Sequence, residues 1–357
     1  MHIGLYTECL TKPYTGVEIQ TKALVEGLSK TPHTITCFHF DDSRHPKLGK
    51  VNHYLFHKPP FRVPLYQTIA SLFRHRCFSH LDVLHLQHPQ VPYVFKPSVP
   101  VVMTIHDISP VFLPHFHNTR RVVFFRNVLP FYLRRVGAVL ASSESTKSDL
   151  IKYYNIPEEK IHVVHLALPL KISAGKNKEP FILYVGTLEP RKNVEGLVRA
   201  YAILKSQGFK QKLVIAGMKG WKYENIFRLI EQHNLQNDVI YKGYVSEDEK
   251  EELYKKAELF VWPSFYEGFG LPVLEAMARG TPVVTSRSSS LPEVVGDAGV
   301  LVNPNSPEDI ARGVREALSS PARYKKMVRE GLKRAKLFTV KKMVKETLAV
   351  YEGVVQK

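Results

Sequence analysis

The sequence has few cysteines, no long apolar run and no recognisable secretion signal. Its three cysteines lack the spacing of a metal site, so we expect reduced thiols in a cytosolic protein. No stretch reaches the roughly 18 apolar residues that a membrane-spanning helix needs. The first ten residues lack the basic start and apolar core of a signal peptide. We therefore exclude a disulfide-stapled scaffold and a transmembrane protein.

Acidic residues are scarce in one part of the chain. Between residues 43 and 143 there are thirteen Lys and Arg but only Asp82 and Asp107, a local charge of +11 within a net charge of +17. Such an imbalance favours anionic partners, namely phosphates, nucleic acid or an acidic membrane surface. We expect the N-terminal half to make that contact.

Apolar segments of strand length alternate with helical segments along the whole chain. The strand-like segments are 2–6, 34–40, 83–86, 101–106, 138–142 and 161–164, and then 181–186, 212–216, 239–242, 259–262, 282–286 and 299–302. This alternation implies parallel sheets that are covered on both faces. The 357 residues suffice for two such domains. We predict the α/β class, with two doubly wound, Rossmann-like domains facing each other across a cleft.

The predicted domains are separated by a polar, proline-bounded linker. They span residues 1–168 and 181–338, with the linker at 169–180 and a final helical segment at 339–357. Several helix boundaries also follow from capping residues. Asn193 begins a helix that Gly208 ends, and Ser246 with Glu249 forms a capping box.

The segment 263–284 follows an apolar strand and runs through a glycine-containing loop into a helix. The amides of 269–271 therefore lie at a helix N-terminus, where free N–H groups and the helix dipole favour an anion. Glu267 and Glu275 flank this position and suit a ligand that carries both phosphate and hydroxyl groups. Alternatively, the glycines only make a tight turn and the two glutamates are solvated.

A second segment, 186–193, ends the first strand of the same domain. It places Arg191 and Lys192 just before a helix N-terminus, where cations oppose the dipole. A pyrophosphate bridging the two side chains would explain the arrangement. The alternative is a pair of solvent-exposed cations on a loop.

These two segments resemble the family-4 retaining glycosyltransferases of the GT-B fold, and the resemblance extends over essentially the whole chain. It implies that Glu275 holds the ribose of a nucleotide-sugar donor, Glu267 contacts the donor sugar and Lys192 binds the diphosphate. It also implies catalytic roles for Arg191 and for His106, which follows an apolar strand at the end that faces the cleft. The other implied donor-binding positions are Gly16, Gly186, Tyr244, Val245, Gly268, Phe269, Gly270 and Leu271.

The chain departs from the family pattern at two places. Thr187 stands where many members carry an arginine, and we expect Arg191 to supply the missing charge. Gly16 stands alone where the family often has two glycines. The final helix, at about 339–355, resembles the family segment that crosses back to the N-terminal domain.

Fifteen of the sixteen histidines lie in the N-terminal half, which raises the alternative of a zinc site at His115 and His117. No cysteine or carboxylate cluster with ligand spacing accompanies them. The resemblance implies catalysis without a metal, because cations and a helix dipole replace it. We expect no metal and no cofactor, with the nucleotide sugar as co-substrate.

Three basic, aromatic segments, 56–62, 73–76 and 120–135, suggest a surface that rests on anionic lipid. The alternative is a packing helix with solvated arginines, and Pro130 interrupts any continuous amphipathic face. We expect a cytoplasmic enzyme, peripheral at the inner face of the membrane, with a saccharide or lipid-linked saccharide acceptor.

The donor is predicted from two loops. Segments 186–193 and 216–221 look like those of bacterial polysaccharide mannosyltransferases, which favours GDP-mannose, with a UDP-sugar as the near alternative. Two other classes of protein are alternatives. The charge suggests a nucleic-acid-binding protein, but no reading module is recognisable. A dinucleotide-dependent oxidoreductase lacks its Gly-x-Gly-x-x-Gly after the first strand of either half.

Overall fold

The computed structural model describes residues 1–7, 10, 16–39, 48–55, 78–89 and 99–356. The predicted basic segments at 56–62 and 73–76 lie outside these residues. The chain divides into two compact units. The first comprises Met1–Pro169 and Phe338–Lys357, and the second comprises Leu170–Leu337. Among the described residues, no helix is both long enough and apolar enough to cross a bilayer.

The first unit is built on a parallel sheet, with seven strands in the described residues. They are β1 (His2–Tyr6), β2 (Thr34–His39), β3 (Asn52–Leu55), β4 (Val83–Leu86), β5 (Val101–Ile105), β6 (Ala138–Ala141) and β7 (Ile161–Val163). The spatial order is β3-β2-β1-β4-β5-β6-β7. Strands β4 and β5 are buried along their whole length, as expected where helices cover both faces.

Short helices follow the strands of this unit. They are α1 (Gly16–Leu28), α2 (Ser109–Phe112), α3 (Thr119–Val123), α4 (Leu129–Arg135) and α5 (Glu144–Tyr154). A π-helical turn, Phe124–Val128, joins α3 to α4 just before Pro130. Proline has no N–H to donate and its ring crowds the preceding turn, so the helix widens there. The predicted interruption at Pro130 is confirmed.

The second unit repeats the plan. Its strands are β8 (Glu179–Val185), β9 (Lys212–Ala216), β10 (Val239–Gly243), β11 (Ala257–Trp262), β12 (Val283–Ser286) and β13 (Val300–Val302). They are parallel and lie in the order β10-β9-β8-β11-β12-β13. The predicted α/β class with two doubly wound sheets is confirmed.

Capping residues define the helices of the second unit. These helices are α6 (Val194–Ser206), α7 (Glu224–Gln232), α8 (Glu247–Lys256), α9 (Leu271–Ala278), α10 (Leu291–Val295), α11 (Pro307–Ala317) and α12 (Pro321–Ala335). The Asn193 side chain accepts from the Gly196 amide at the start of α6. Ser246 and Glu249 form the predicted reciprocal capping box at α8.

The last helix, α13 (Val340–Val355), belongs to the first unit. It packs against α1, and its buried side chains, including Val344, Val350 and Tyr351, share one hydrophobic core with Ile3 of β1 and Val102 of β5. One face of the first sheet is therefore covered by residues from the far end of the chain.

One strand differs from what the sequence predicts. Strand β3 was not predicted, because all four of its residues are exposed at the sheet edge and show no apolar pattern. The stretch 170–178, which falls within the predicted linker, packs against the rest of the second unit. The amides of Ser173 and Gly175 donate to the carbonyls of Ala278 and Arg279, both at 3.0 Å.

Candidate active site

The two motifs singled out in the sequence meet at the centre of the second sheet. Strands β8 and β11 are neighbours, and the strand order reverses between them. Doubly wound sheets bind ligands at the carboxyl ends of the strands at such a point. The segment 186–193 leaves β8 at this edge and the segment 263–270 leaves β11, so residues far apart in sequence become neighbours.

Glu267 is the centre of the resulting cluster. The Lys192 Nζ donates to its two carboxylate oxygens at 2.6 and 2.9 Å, and Arg191 Nη1 donates to one of them at 3.2 Å. Burial alone would raise the pKa of Glu267, but Lys192 and Arg191 outweigh that effect and hold the pKa below its usual value. Glu267 is therefore an ionised acceptor.

Glu189 completes the cluster. Arg191 Nη2 donates to Glu189 Oε1 at 2.9 Å, so two cations face two carboxylates. Burial, together with the neighbouring Arg191, lowers the pKa of Lys192. Each charge here depends on its partners, because an unpaired charge at this depth is costly. A diphosphate that binds Arg191 and Lys192 must therefore take over positions that carboxylate oxygens hold.

Trp262, at the end of β11, packs against the cluster through its indole ring. Lys192 Nζ lies 4.9 Å from the centre of the indole ring, and Tyr184 stacks on that ring with 5.0 Å between ring centres. Gly186 passes so close that a Cβ there would lie 2.7 Å from the indole. This contact explains why a glycine follows β8.

A serine cluster supports the Glu267 loop from the side of β12. The Ser289 hydroxyl accepts from the Glu267 amide at 2.9 Å, and the Ser290 hydroxyl donates to the carbonyls of Glu267 and Phe269 at 2.9 and 2.7 Å. Sequence reasoning did not identify these residues. The available signal was the run of serines at 288–290 directly after a buried strand.

Gly270 links the loop to α9. Its φ of +117° is unfavourable for other residues, and a Cβ there would lie 2.8 Å from a methyl group of Leu291. The helix begins at Leu271, as predicted, and among the described residues no side chain caps it. The backbone at 269–271, with Gly268 before it, therefore presents a helix N-terminus to the same edge of the sheet.

Glu275 lies in a separate ion-pair cluster. Its Oε1 is 3.5 Å from Lys250 Nζ, and Lys250 also contacts Glu247 at 2.8 Å. Burial raises the pKa of Glu275, and Lys250 partly offsets this effect. Lys250 was not predicted, because it lies on a highly charged helix whose sequence pattern does not distinguish one lysine from another.

Tyr244 and Val245 follow β10 and lie beside a groove of about 890 Å³. Phe181, Val214 and Leu253 also line it. The Tyr244 side chain is 73% exposed. These two residues lie on the same side of the unit as α8, which carries Lys250.

The remaining predicted residues lie in the first unit. His106 directly follows β5, and Gly16 is the first residue of α1. Burial lowers the pKa of His106, while Asp107, the backbone of Gln87 and Glu18 oppose this shift.

His117, one of the two histidines considered for zinc, takes part in a hydrogen-bonded chain instead. His117 Nε2 lies 2.9 Å from Ser109 Oγ, which donates to Asp107 at 2.7 Å. In the part of the chain that the structure describes, no three potential ligands come together in a way that would hold a metal ion.

Comparison with known proteins defines the class. Residues 14–171 match the family model described as Glycosyltransferase Family 4, and residues 170–334 match the one described as Glycosyl transferases group 1. O-antigen chain mannosyltransferase B of Escherichia coli is 35% identical over 382 residues, which cover 99% of this chain and 100% of that protein.

Solved structures share the fold. Sucrose-phosphate synthase of Thermosynechococcus elongatus has a TM-score of 0.81 at 20% identity and covers 99% of this chain and 98% of its own. Anabaena Alr3699/HepE in complex with UDP and glucose has a TM-score of 0.75 at 18% identity, with 98% and 99% covered.

The chain belongs to glycosyltransferase family 4 and has the two Rossmann-like domains of the GT-B fold. It is a glycosyltransferase. The family resemblance, the fold and the enzyme class predicted from the sequence are confirmed. The nucleic-acid-binding and oxidoreductase alternatives no longer apply.

Proposed function

We propose that this enzyme transfers a mannosyl residue from GDP-mannose to a saccharide or lipid-linked saccharide in the synthesis of a bacterial-type surface polysaccharide. The observation that carries the proposal is the cluster of Arg191, Lys192 and Glu267 between the carboxyl ends of β8 and β11. The choice of mannose is supported by the Escherichia coli relative, which is named as an O-antigen chain mannosyltransferase.

In the proposed reaction, the bond between the anomeric carbon and the donor phosphate oxygen breaks, and its electron pair stays on the diphosphate. Arg191, Lys192 and the amides of 269–271 stabilise that charge, so no metal is needed. The acceptor hydroxyl attacks the same face of the sugar and gives its proton to the departing phosphate oxygen. The configuration at the anomeric carbon is therefore retained.

The carboxylates have separate roles in this proposal. When the diphosphate pairs with Arg191 and Lys192, Glu267 becomes free to accept hydrogen bonds from the sugar hydroxyls. Glu275 accepts hydrogen bonds from the ribose hydroxyls, next to Lys250. His106 contacts the donor sugar near the reacting carbon.

The backbone positions complete the proposed donor site. Gly16 and Gly186 let the main chain approach the donor closely, and Tyr244 and Val245 border the nucleobase.

We also propose that the first unit rests on an anionic membrane surface at the cytoplasmic face. From Thr119 to Arg135 the sequence has no acidic residue, and the arginines at 120, 126, 134 and 135 are exposed. Val123 and Phe131 are 50% and 45% exposed on the same segment, and the Arg135 guanidinium lies 3.7 Å from the Phe131 ring centre. Cations beside exposed apolar groups suit the lipid interface.

Thermal unfolding with added nucleotides tests the donor assignment. A ligand present at about a hundred times its dissociation constant adds about 2.7 kcal/mol to stability, a shift of a few degrees. We expect GDP and GDP-mannose to raise the melting temperature and Glu275→Ala to reduce the rise by about half, because a tenfold weaker site leaves about 1.4 kcal/mol of stabilisation. A rise with UDP-sugars alone overturns the choice of GDP-mannose, and no rise with any nucleotide contradicts the assigned donor site.

Two further measurements test the chemistry. Proton NMR of the product should show an α-mannoside from the α-linked donor, whereas a β-mannoside would rule out retention. Turnover in excess EDTA should equal turnover without it. A loss that magnesium restores would show that the enzyme needs a metal.

A further inference from the structure

A buried polar network joins the C-terminal helix to the first sheet. His85, on β4, is fully buried, and its Nδ1 lies 2.5 Å from the hydroxyl of Tyr351 on α13. Its Nε2 lies 2.7 Å from Thr104 Oγ1 on β5. The amide nitrogen of the Gln87 side chain lies 3.0 Å from the same Nδ1. One imidazole thus connects three separate elements.

The protonation states of the network follow from its burial. Burial, with a smaller contribution from His106, lowers the pKa of His85 to about 3, so the ring is neutral. Burial raises the pKa of Tyr351, so the phenol keeps its proton. The Gln87 amide nitrogen can only donate, so Nδ1 is the acceptor; Tyr351 therefore also donates to Nδ1, and Nε2–H donates to Thr104. The ring has a defined tautomer and orientation.

The network ends beside His106. Thr104 precedes His106 by two residues, and His106 directly follows β5, so extended backbone continued by one residue places both side chains on the same face. That face is the one under α13, because Val102 shares a core with Tyr351, whereas Met103 and Ile105 belong to the opposite core. The backbone of Gln87 forms a hydrogen bond with the His106 side chain, which opposes the lowering of the His106 pKa by burial.

We propose that Tyr351 is a positioning residue for His106: its hydroxyl fixes His85, which holds Thr104 and Gln87 beside the His106 imidazole. The importance of this role rests on the proposed function of His106 in sugar transfer. A residue of the last helix would then control the geometry of a group at the end of β5, although 266 residues separate Tyr351 from His85.

The test compares Tyr351→Phe with Tyr154→Phe. Tyr154 is a matched control, because it is also buried in the first unit and its hydroxyl donates to the Phe125 carbonyl at 2.6 Å in the opposite core. Turnover is measured as GDP release from GDP-mannose with methyl α-mannoside as acceptor. We expect Tyr351→Phe to lower kcat about tenfold or more with an unchanged donor KM. Tyr154→Phe should keep the wild-type kcat.

A second readout does not depend on activity. In protein labelled with ¹³C at the histidine Cε1, the His106 signal and its titration should shift in Tyr351→Phe but not in Tyr154→Phe. His85→Asn, whose Oδ1 can replace Nδ1 as the acceptor, should restore the His106 signal more closely than His85→Leu. An unchanged His106 signal in Tyr351→Phe overturns the positioning role.

His106→Ala separates the two proposals. If it keeps full turnover, the catalytic role of His106 fails, and the NMR comparison alone decides whether Tyr351 positions the ring. If His106→Ala loses turnover while Tyr351→Phe behaves like Tyr154→Phe in both assays, only the positioning role fails.

Discussion

The predicted donor-binding glutamates of the second unit lie in two separate ion-pair clusters. Lys192 and Arg191 pair with Glu267, whereas Lys250 pairs with Glu275. In the proposed function, the first cluster faces the group whose charge develops during the reaction, and the second faces a part of the donor that does not react. Interactions that strengthen only in the transition state change kcat, and uniform binding changes KM.

This division predicts that loss of a cation from the first cluster changes kcat and that loss of Glu275 changes the donor KM. Lys192→Ala should lower kcat about a hundredfold, because one stabilising contact to the leaving group is lost. Glu275→Ala should raise the donor KM about tenfold with little change in kcat, because it removes a hydrogen-bond acceptor for the donor. Steady-state kinetics with a varied donor concentration measure both quantities.

Lys205→Ala is the matched control for the lysine variant. It also breaks an ion pair, with Asp238 at 2.8 Å, but on α6 and away from the β8–β11 edge. Its kinetics should equal those of the wild type. Full activity in Lys192→Ala, or a kcat effect in Lys205→Ala of the same size, would refute the assigned role.

The buried His85 predicts a pH dependence of stability. The unfolded chain takes up a proton at this residue below its ordinary pKa of 6.5, but the folded chain does not until about pH 3. Its contribution is therefore fully present above pH 6.5 and is lost as the pH falls towards 3. The expected slope is about 1.4 kcal/mol per pH unit.

Urea unfolding between pH 7 and pH 4.5 measures this slope. The wild type should lose stability more steeply than His85→Asn, which does not titrate at that position. His106 contributes with the same sign in both proteins, because its pKa is also lowered. Equal slopes would show that His85 is protonated in the folded state.

At the scale of elements, the sequence predicted every strand described here except β3, together with the helix boundaries set by capping. Strand β9 has the predicted bounds, and the capping box at Ser246 is present. These features depend on neighbouring residues, so a local pattern suffices. The contacts of Lys250 with Glu275 and of Tyr351 with His85 depend on how distant elements pack, and no local pattern carries that information.

The turn before helix α9 depends on the backbone conformation of Gly270. Gly270→Ala should destabilise the protein by about 1–2 kcal/mol, because alanine is strained at a φ of +117° and its Cβ meets Leu291. Donor binding should weaken as well, since the helix N-terminus must shift. Urea unfolding and nucleotide titration measure the two effects.

The control is Gly353→Ala, within α13, where a Cβ meets nothing within 4 Å. Alanine favours helix over glycine there, so stability should stay equal or rise by up to about 1 kcal/mol. Gly270→Ala with wild-type stability would mean that the turn tolerates a side chain.

At the scale of the whole molecule, the positive charge is unevenly distributed. Residues 43–143 carry +11 of the net +17, and the described part of that segment includes the exposed arginines of α3 and α4. The second unit also has basic helices, such as α12. Charge alone therefore does not distinguish a membrane-binding face from a solvated one, and a test has to compare charge changes at the two places.

Vesicle cosedimentation provides that comparison. Wild-type protein should bind vesicles that contain phosphatidylglycerol and not those of phosphatidylcholine alone. Arg134→Glu with Arg135→Glu should weaken binding by at least about 30-fold, because each basic residue contributes about 1 kcal/mol near an anionic surface. The same change at the exposed Lys325 and Lys326 of α12 should have a much smaller effect. Equal effects, or no binding by the wild type, would remove the membrane contact.

The place of α13 has a consequence for how the chain folds during synthesis. The second unit, Leu170–Leu337, is contiguous, whereas the core of the first unit includes Val344, Val350 and Tyr351. A domain that begins at the N-terminus usually folds first as it leaves the ribosome. Here part of one apolar face of the first sheet, beside α1, stays uncovered until α13 emerges. Of the two units, the one whose strands emerge earlier is therefore completed later, and we expect a chaperone that shields apolar surface to stay bound to it for longer.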